Sequence, residues 1–173
     1  MSKPIKIKKN LIVKRILFII MLLGTLYLIF CFSSQDGEQS GNLSLKVTNF
    51  IVNLFSKIKN MDTALRMHYI EKLHPIIRKL AHFSIYCLVG FSVMGFWCTF
   101  DIKNKYKLLW SILIGVTYAT SDEFHQSFIP GRGPSIRDVC IDSAGVLTGI
   151  FVMIFLILLF EAFSNWIKKW KIS

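Results

Sequence analysis

The chain has 173 residues, of which 53% are hydrophobic, and it carries a formal net charge of +11. Its mean hydropathy is +0.52. A soluble domain of this length cannot bury so much apolar surface, which excludes an ordinary water-soluble enzyme or binding module. Four apolar runs approach the ~20 residues that cross a bilayer, and they are continuous rather than alternating, which favours helices over a β-barrel. We therefore predict an all-α membrane protein with four transmembrane helices.

The predicted membrane helices follow these apolar runs in chain order. They cover about residues 11–32, 75–100, 107–124 and 138–163, within one membrane domain at 16–163 that also contains a long outer loop at 33–74. The third helix is the weakest because Thr117, Thr120 and Ser121 interrupt its apolar run. The end of the first run lacks the small-x-small pattern of a cleaved signal peptide, so we expect this helix to remain as an anchor.

The positive charge is concentrated at the two ends of the chain and in one short hairpin. Residues 1–15 carry six Lys or Arg and no acid, the hairpin at 101–107 carries three Lys and one Asp, and the tail from Glu161 carries three Lys and one Glu. Four helices place all three segments on one side, which the positive-inside rule makes cytoplasmic. We predict a multi-pass protein of the cytoplasmic membrane, with basic cytoplasmic ends at 1–15 and 164–173. Attraction to anionic lipid accounts for the basic excess, so membrane lipids rather than nucleic acid are the expected partners.

The long outer loop contains one clear helical pattern. Its start, FSSQDGEQSGN, is polar and contains glycine, which indicates irregular structure. Apolar residues then recur at helical spacing: Val47, Phe50, Ile51, Leu54, Phe55 and Ile58. This predicts an amphipathic helix that either lies flat on the outer membrane surface or packs on the bundle. A second short helix is predicted at 61–73 with Asp62 as its N-cap, and Pro75 fits the first turn of the next membrane helix.

Polar residues form a stripe at the outer end of each of the last three helices. They are Arg78, Lys79, His82 and Tyr86 on the second helix, Tyr118, Asp122 and either His125 or Gln126 on the third, and Asp138 and Asp142 on the fourth. Isolated charges in a membrane are costly, so we expect these residues to meet in a wet pocket and to form a binding site there. Gly145 and Gly149 continue the fourth stripe and are expected to let helices approach closely.

The pocket residues are suited to two kinds of chemistry. Glu123 and His125 are the candidate acid–base pair, with His82 as a third catalytic candidate. Arg132 and Arg137 are suited to gripping a phosphate or carboxylate through two parallel hydrogen bonds.

Two other interpretations of the same residues stay open. Asp122, Asp138 and Asp142 are able to share a proton or to bind a cation through oxygen, and a metal site on His82, Glu123, His125 and Asp142 is an alternative. The charged groups are also able to tie helix ends together through salt bridges and caps, above all Arg137 and Asp138 at a helix start. No cofactor motif is present, and DEFH lacks the histidine pair of a zinc protease, so we expect neither a cofactor nor a metal.

Three segments carry a resemblance to a known family. They are FSSQ (32–35), RKLAHFSIY (78–86) and YATSDEFHQSFIPGRGPSIRDVCIDSAGVLTG (118–149). In these segments the chain resembles the VanZ-like family, named for a protein of glycopeptide-resistance clusters that raises tolerance to teicoplanin. The resemblance implies a small bacterial membrane protein acting near the cell envelope, with antibiotic resistance in some members, and it brings no catalytic roles with it.

The favoured functional interpretation is a membrane protein whose outward-facing polar pocket binds an envelope lipid or a lipid-linked cell-wall precursor. An anionic headgroup would suit Arg78, Arg132 and Arg137. The alternative is a membrane-embedded hydrolase or transferase that uses acid–base chemistry on such a lipid. A transporter subunit is disfavoured because transport sites lie near the bilayer midplane, whereas these charges do not. The oligomeric state stays open.

Overall fold

The structure is a computed structural model, and it describes residues 9–55, 58 and 61–170. The outermost parts of both predicted basic ends lie outside these residues. In the described part the chain is all-helical, with five helices and no strand: α1 (Lys9–Ser33), α2 (Gly37–Leu54), α3 (Thr63–Cys98), α4 (Asn104–Gln126) and α5 (Ile136–Trp170). The predicted all-α class is confirmed.

Three of these helices are long and apolar enough to cross a membrane, and they bear out part of the predicted four-helix arrangement. The candidate spans are Lys9–Ser33, Thr63–Cys98 and Ile136–Lys168. Their large apolar side chains face outward, as Ile20, Leu80 and Phe155 illustrate with exposures of 61%, 57% and 62%. Such faces are stable in hydrocarbon, where an exposed leucine costs nothing.

The outer loop is more helical than its composition indicates. The predicted irregular start is confirmed only for residues 34–36, because α2 begins at Gly37. Asp36 caps α2, since its side chain accepts a hydrogen bond from the Gln39 N–H at 2.7 Å. The first turn of α2 is rich in glycine and serine, so the spacing of apolar residues does not reveal it. The N-cap Asp36 and the acidic Glu38 in the first turn do favour a helix start here.

α2 packs on α3 through a polar and small face. Thr48 and Val52 are buried, and the Ser44 hydroxyl lies 2.6 Å from Nε2 of His74 on α3. Phe50 and Leu54, from the predicted apolar face, are 66% and 67% exposed instead. The helix ends at Leu54, so the predicted continuation to Ile58 is wrong.

α3 runs without a break through the proline that was expected to begin it. Asp62 is the N-cap, as predicted, and its side chain accepts from the Ala64 N–H at 3.2 Å. Pro75 lies inside the helix and not in its first turn, so the predicted boundary there is wrong. A proline inside a helix removes one hydrogen bond. The helix nevertheless continues, and the preceding residue, His74, contacts Ser44 of α2.

α3 and α5 form the centre of the bundle because glycines let their backbones touch. A Cβ added at Gly90 would meet the Val146 carbonyl oxygen, and one added at Gly149 would meet the Cys87 carbonyl oxygen. A Cβ added at Gly145 would likewise meet the Phe83 carbonyl oxygen. The predicted close approach at Gly145 and Gly149 is confirmed, and it brings the polar ends of these two helices together.

The two ends of the bundle differ in chemistry. At one end Arg15 donates from Nε to the Thr99 hydroxyl at 3.1 Å and from its terminal nitrogen to the Thr99 carbonyl at 3.0 Å. Its guanidinium also stacks 3.8 Å from the centre of the Phe100 ring. A cation at the carboxyl end of α3 is favourable because the helix dipole is negative there. The opposite end, where α1 finishes and α5 begins, holds the polar residues described next.

Candidate functional site

A buried carboxylate joins three helices at the polar end of the bundle. Asp122 on α4 is 5% exposed, and its Oδ2 accepts hydrogen bonds from Ser33, Tyr86 and Gln126, each at 2.9 Å. These donors belong to α1, α3 and α4, so one oxygen ties three elements together.

The sequence predicted three of the four members of this cluster. Tyr86, Asp122 and Gln126 come together as their stripes indicated. Ser33 was predicted only as part of the polar start of the outer loop, yet it is 1% exposed and donates to the carboxylate. The sequence signal that could have drawn attention to Ser33 is its position in FSSQ, one of the segments of the family resemblance.

Arg132 is held above this cluster by neutral groups. It donates to Oε1 of Gln126 at 3.0 Å and to the Phe32 carbonyl at 2.8 Å. Neither acceptor is ionised, so the guanidinium charge is not neutralised by these contacts. Burial lowers the pKa of Arg132, and the positive charge of Arg78 lowers it further. Two cations therefore face a common region.

A tight turn fixes the segment that carries Arg132. The Arg132 N–H donates to the Ile129 carbonyl at 3.1 Å across Pro130 and Gly131, whose φ is +73°. Proline followed by a glycine of positive φ is the pattern of a type II turn. The Pro130 carbonyl accepts from the Gly37 N–H at 3.0 Å, so the turn is anchored to the start of α2.

A cavity of about 380 Å³ opens between α3, the end of α4, this turn and the start of α5. The volume lies in the range of about 300–1,000 Å³ that is typical of small-molecule sites. Its charged and titratable lining consists of His74, Arg78, Lys79, His82, Glu123, Arg132, Asp138 and Asp142. The three polar stripes thus meet in one cavity.

Two of the cavity acids have structural partners. Lys79 donates from Nζ to Asp138 Oδ1 at 2.8 Å, and both side chains are more than a third exposed. A pair this exposed adds little stability. Glu123 accepts from the Ser135 N–H at 2.6 Å. The Ser135 hydroxyl in turn accepts from the Asp138 N–H at 3.3 Å, so Ser135 and not Asp138 caps α5.

The third acid, Asp142, is the least satisfied group in the cavity. It is 1% exposed, and its Oδ2 lies 3.9 Å from Nδ1 of His82. This separation is too long for a hydrogen bond. Its other oxygen, Oδ1, is buried and has no hydrogen-bond partner among the described residues. Buried carboxylate oxygens rarely stay unpaired, so this one is available to a proton donor on a ligand.

Two predicted residues lie elsewhere. His125 is stacked on Phe30, with ring centres 5.3 Å apart, and it does not line the cavity. Glu123 and His125 are two positions apart, about 200° around a helix, so they face opposite sides. Arg137 is exposed and also lies off the cavity wall. The structure therefore does not assemble the predicted Glu123 and His125 pair.

Metal-ligating side chains do not cluster in the described ranges 9–55, 58 and 61–170. No three His, Cys, Asp or Glu side chains there are close enough to share an ion. The alternative metal site on His82, Glu123, His125 and Asp142 is not assembled. His82, Glu123 and Asp142 line the cavity, whereas His125 is stacked on Phe30 outside it.

The fold and cavity together define a class of protein: an all-helical membrane protein with a charged cavity at one end. Long helices with outward apolar faces require lipid around them, and charges gathered at a helix end require a wet or liganded site.

Residues 18–160 match the family model described as VanZ/LLP1. The match covers most of the 173 residues, and the chain belongs to the VanZ family. The resemblance seen in the three sequence segments is confirmed. No curated protein and no solved structure matches the chain significantly.

Proposed function

We propose that this VanZ-family protein binds the anionic headgroup of an envelope lipid, or of a lipid-linked cell-wall precursor, in the cavity. The observation that carries the proposal is the pair of arginines. Arg78 has no carboxylate partner among the described residues, and Arg132 contacts only neutral acceptors. Two guanidinium groups that form no direct ion pair in the described part of the chain, beside one cavity, favour a phosphate or carboxylate ligand, because arginine matches such groups with two parallel hydrogen bonds.

The proposed membrane arrangement has four spans: α4 crosses the membrane in addition to the three candidate spans α1, α3 and α5. Its buried face carries small and polar residues such as Ser111, Gly115 and Asp122, whereas Leu109 and Leu113 are 55% and 50% exposed. A helix that is polar toward its neighbours and apolar toward the outside fits hydrocarbon surroundings. The basic hairpin then lies in the cytoplasm with both ends of the chain, and the cavity opens on the outer side.

α2 completes the proposed arrangement at the outer surface. It packs on α3 through Thr48 and Val52 while it exposes Val47, Phe50 and Leu54. Such an apolar outer face suits the interface between headgroups and hydrocarbon. In that position a bound wall precursor would be less accessible to a lipoglycopeptide, which is how the protein would contribute to teicoplanin resistance.

The arginines provide a test of lipid binding. We expect Arg78→Ala to weaken binding of phosphatidylglycerol by the purified protein in detergent roughly tenfold or more, because a charge-assisted hydrogen bond contributes about 1.5–3 kcal/mol. Phosphatidylcholine, which has no net charge, should bind weakly to both proteins. Native mass spectrometry across a lipid titration measures both.

Arg137→Ala is the matched control, since Arg137 is exposed and lies off the cavity wall. It removes the same charge and should leave phosphatidylglycerol binding unchanged. Equal losses for Arg78→Ala and Arg137→Ala would mean that overall charge, and not the cavity, attracts the lipid, and the proposal would fail.

A second candidate function is acid–base chemistry on the bound lipid, and the cavity favours His82 for it. His82 lines the cavity beside Asp142, whose Oδ1 has no partner in the described part of the chain. An imidazole oriented by a carboxylate is a common general base, and apo distances often shorten when substrate binds. Glu123 lines the same cavity, whereas His125 does not.

If the protein is an enzyme, His82→Gln should abolish turnover, while phosphatidylglycerol binding changes little. General acid–base catalysis contributes about 10²–10⁴-fold to a rate, so the loss is large where chemistry occurs. Lipid mass spectrometry of membranes from expressing and deleted strains measures it. His125→Gln is the control and should leave the lipid profile as it is in the expressing strain. A profile that does not differ between expressing and deleted strains would contradict the enzyme hypothesis and leave binding as the function.

A further inference from the structure

An apolar groove lies next to the polar cavity, between α1, α2 and α3. Its volume is about 220 Å³. Ile29 and Phe32 of α1, Leu43 and Val47 of α2, and Ile77 and Ile85 of α3 supply its apolar walls. The polar stripes of the sequence did not predict this groove, because its apolar walls come from residues outside those stripes.

The groove and the cavity share part of one wall. Arg78 and His82 line both of them. These residues are one turn apart on α3, so this helix separates a charged chamber from an apolar one. A site with a cationic part and an adjoining apolar part matches a ligand that has an anionic head and a hydrocarbon chain.

The groove is open toward the surroundings of the bundle. Phe32, Leu43 and Val47 on its walls are 42%, 43% and 44% exposed. In a membrane protein such apolar side chains face lipid, so a chain could enter the groove sideways without crossing water.

Burial of a chain in this groove would not be driven by the hydrophobic effect, because bilayer hydrocarbon is as apolar as the groove. The groove would instead add packing contacts and fix the position of the headgroup relative to Arg78. A soluble anion would lack this second contact. The arrangement therefore favours an anion that is attached to a chain.

We propose that the groove holds one hydrocarbon chain of the anionic lipid whose headgroup occupies the cavity. This inference rests on the proposed function, and it assigns the ligand to the class of chain-bearing anions rather than soluble phosphates or carboxylates. Charge complementarity at Arg78 selects the occupant: a zwitterionic lipid has the same chain but no net charge to hold it there.

Photo-crosslinking in liposomes tests the groove. The probes are phosphatidylglycerol and phosphatidylcholine that carry the same diazirine-labelled acyl chain. We expect the phosphatidylglycerol probe to label Ile77 and Ile85 more strongly than the phosphatidylcholine probe, and Arg78→Ala to remove that difference. Leu113, on the outward face of α4, should be labelled equally by both probes because it faces bulk lipid.

Ala81→Trp is the blocking variant, since Ala81 lines the groove and is exposed, which leaves room for folding. It should abolish labelling of Ile77 and Ile85 without changing that of Leu113. Ala162→Trp, at an exposed position on α5 away from the groove, is the matched control and should label as the wild type does.

The outcomes separate the inference from the proposed function. If native mass spectrometry shows preferential phosphatidylglycerol binding, but both probes label Ile77 and Ile85 equally, the groove is ordinary lipid contact and the inference is overturned. If inorganic phosphate displaces phosphatidylglycerol as well as a chain-bearing anion does, the chain contributes nothing and the inference also fails. If no preference for phosphatidylglycerol exists, the proposed function itself fails.

Discussion

Gly149→Leu is expected to prevent the two central helices, α3 and α5, from packing together. The Cβ of the new residue would meet the Cys87 carbonyl oxygen, and it would lie 2.7 Å from the Phe91 nitrogen. Both obstacles are backbone atoms of α3, which cannot move aside without separating the two central helices. Overpacking usually costs about 1–3 kcal/mol, and a backbone obstacle puts this case at or above the upper limit.

Gly24→Leu is the matched control for this prediction. Gly24 lies in α1, and a Cβ there would meet no atom within 4 Å. Fluorescence-detected size-exclusion chromatography after heating measures the fraction of folded protein in detergent. We expect little folded material for Gly149→Leu and a wild-type melting curve for Gly24→Leu. Equal melting of the two variants would contradict the close contact between α3 and α5.

The second large effect is expected at the buried carboxylate. Asp122→Ala leaves the hydroxyls of Ser33 and Tyr86 and the amide of Gln126 without their common acceptor. An unsatisfied buried donor costs about 1–3 kcal/mol, so the combined loss should be about 3 kcal/mol or more. Asp122→Asn should be intermediate, because its amide oxygen still accepts hydrogen bonds whereas its nitrogen accepts none.

Asp101→Ala controls for the removal of one carboxylate, since Asp101 is exposed in the hairpin between α3 and α4. It should leave thermal stability within about 0.5 kcal/mol of the wild type, as surface substitutions usually do. Melting in detergent would rank the variants as wild type and Asp101→Ala, then Asp122→Asn, then Asp122→Ala. A wild-type melting point for Asp122→Ala would show that the cluster does not hold the three helices together.

The helical class and the meeting of the polar stripes could be predicted because membranes penalise the alternatives strongly. A charged residue on an apolar helix has to face the bundle, so helical spacing alone placed Arg78, His82, Asp122 and Asp142 on inward faces. Gly145 and Gly149 were recognisable for the same reason, since small residues mark close helix contacts in membranes.

Local features were harder to predict because neighbouring helices decide them. Pro75 usually marks a helix start, yet α3 continues through it beside the contact between Ser44 and His74. Ser33 belonged to the predicted polar loop start, and only the position of α4 shows that its hydroxyl reaches Asp122. His125 lies close to Glu123 in the sequence, but the two side chains are about 200° apart around α4. Closeness in the sequence therefore did not mean that they share a face.

The groove beside Arg78 could not be predicted from any single segment. Its walls come from α1, α2 and α3, and they combine apolar residues with polar ones such as Ser40 and Ser44. Only their arrangement next to a charged cavity distinguishes them.

Cysteine accessibility is the most direct test of the central claim, which is that the cavity opens to the outside of the cell at the end of the bundle opposite the basic hairpin. Gly133 lines the cavity and has open space around its Cα, and Lys105 is exposed in the opposite hairpin region. Each is replaced by cysteine in a variant that lacks the four native cysteines, and intact cells are treated with a membrane-impermeant maleimide.

The account predicts that Gly133→Cys is labelled in intact cells, whereas Lys105→Cys is labelled only after the membrane is permeabilised. Labelling of Lys105→Cys from outside, with Gly133→Cys protected, would place the cavity in the cytoplasm and contradict the proposed role at the cell envelope.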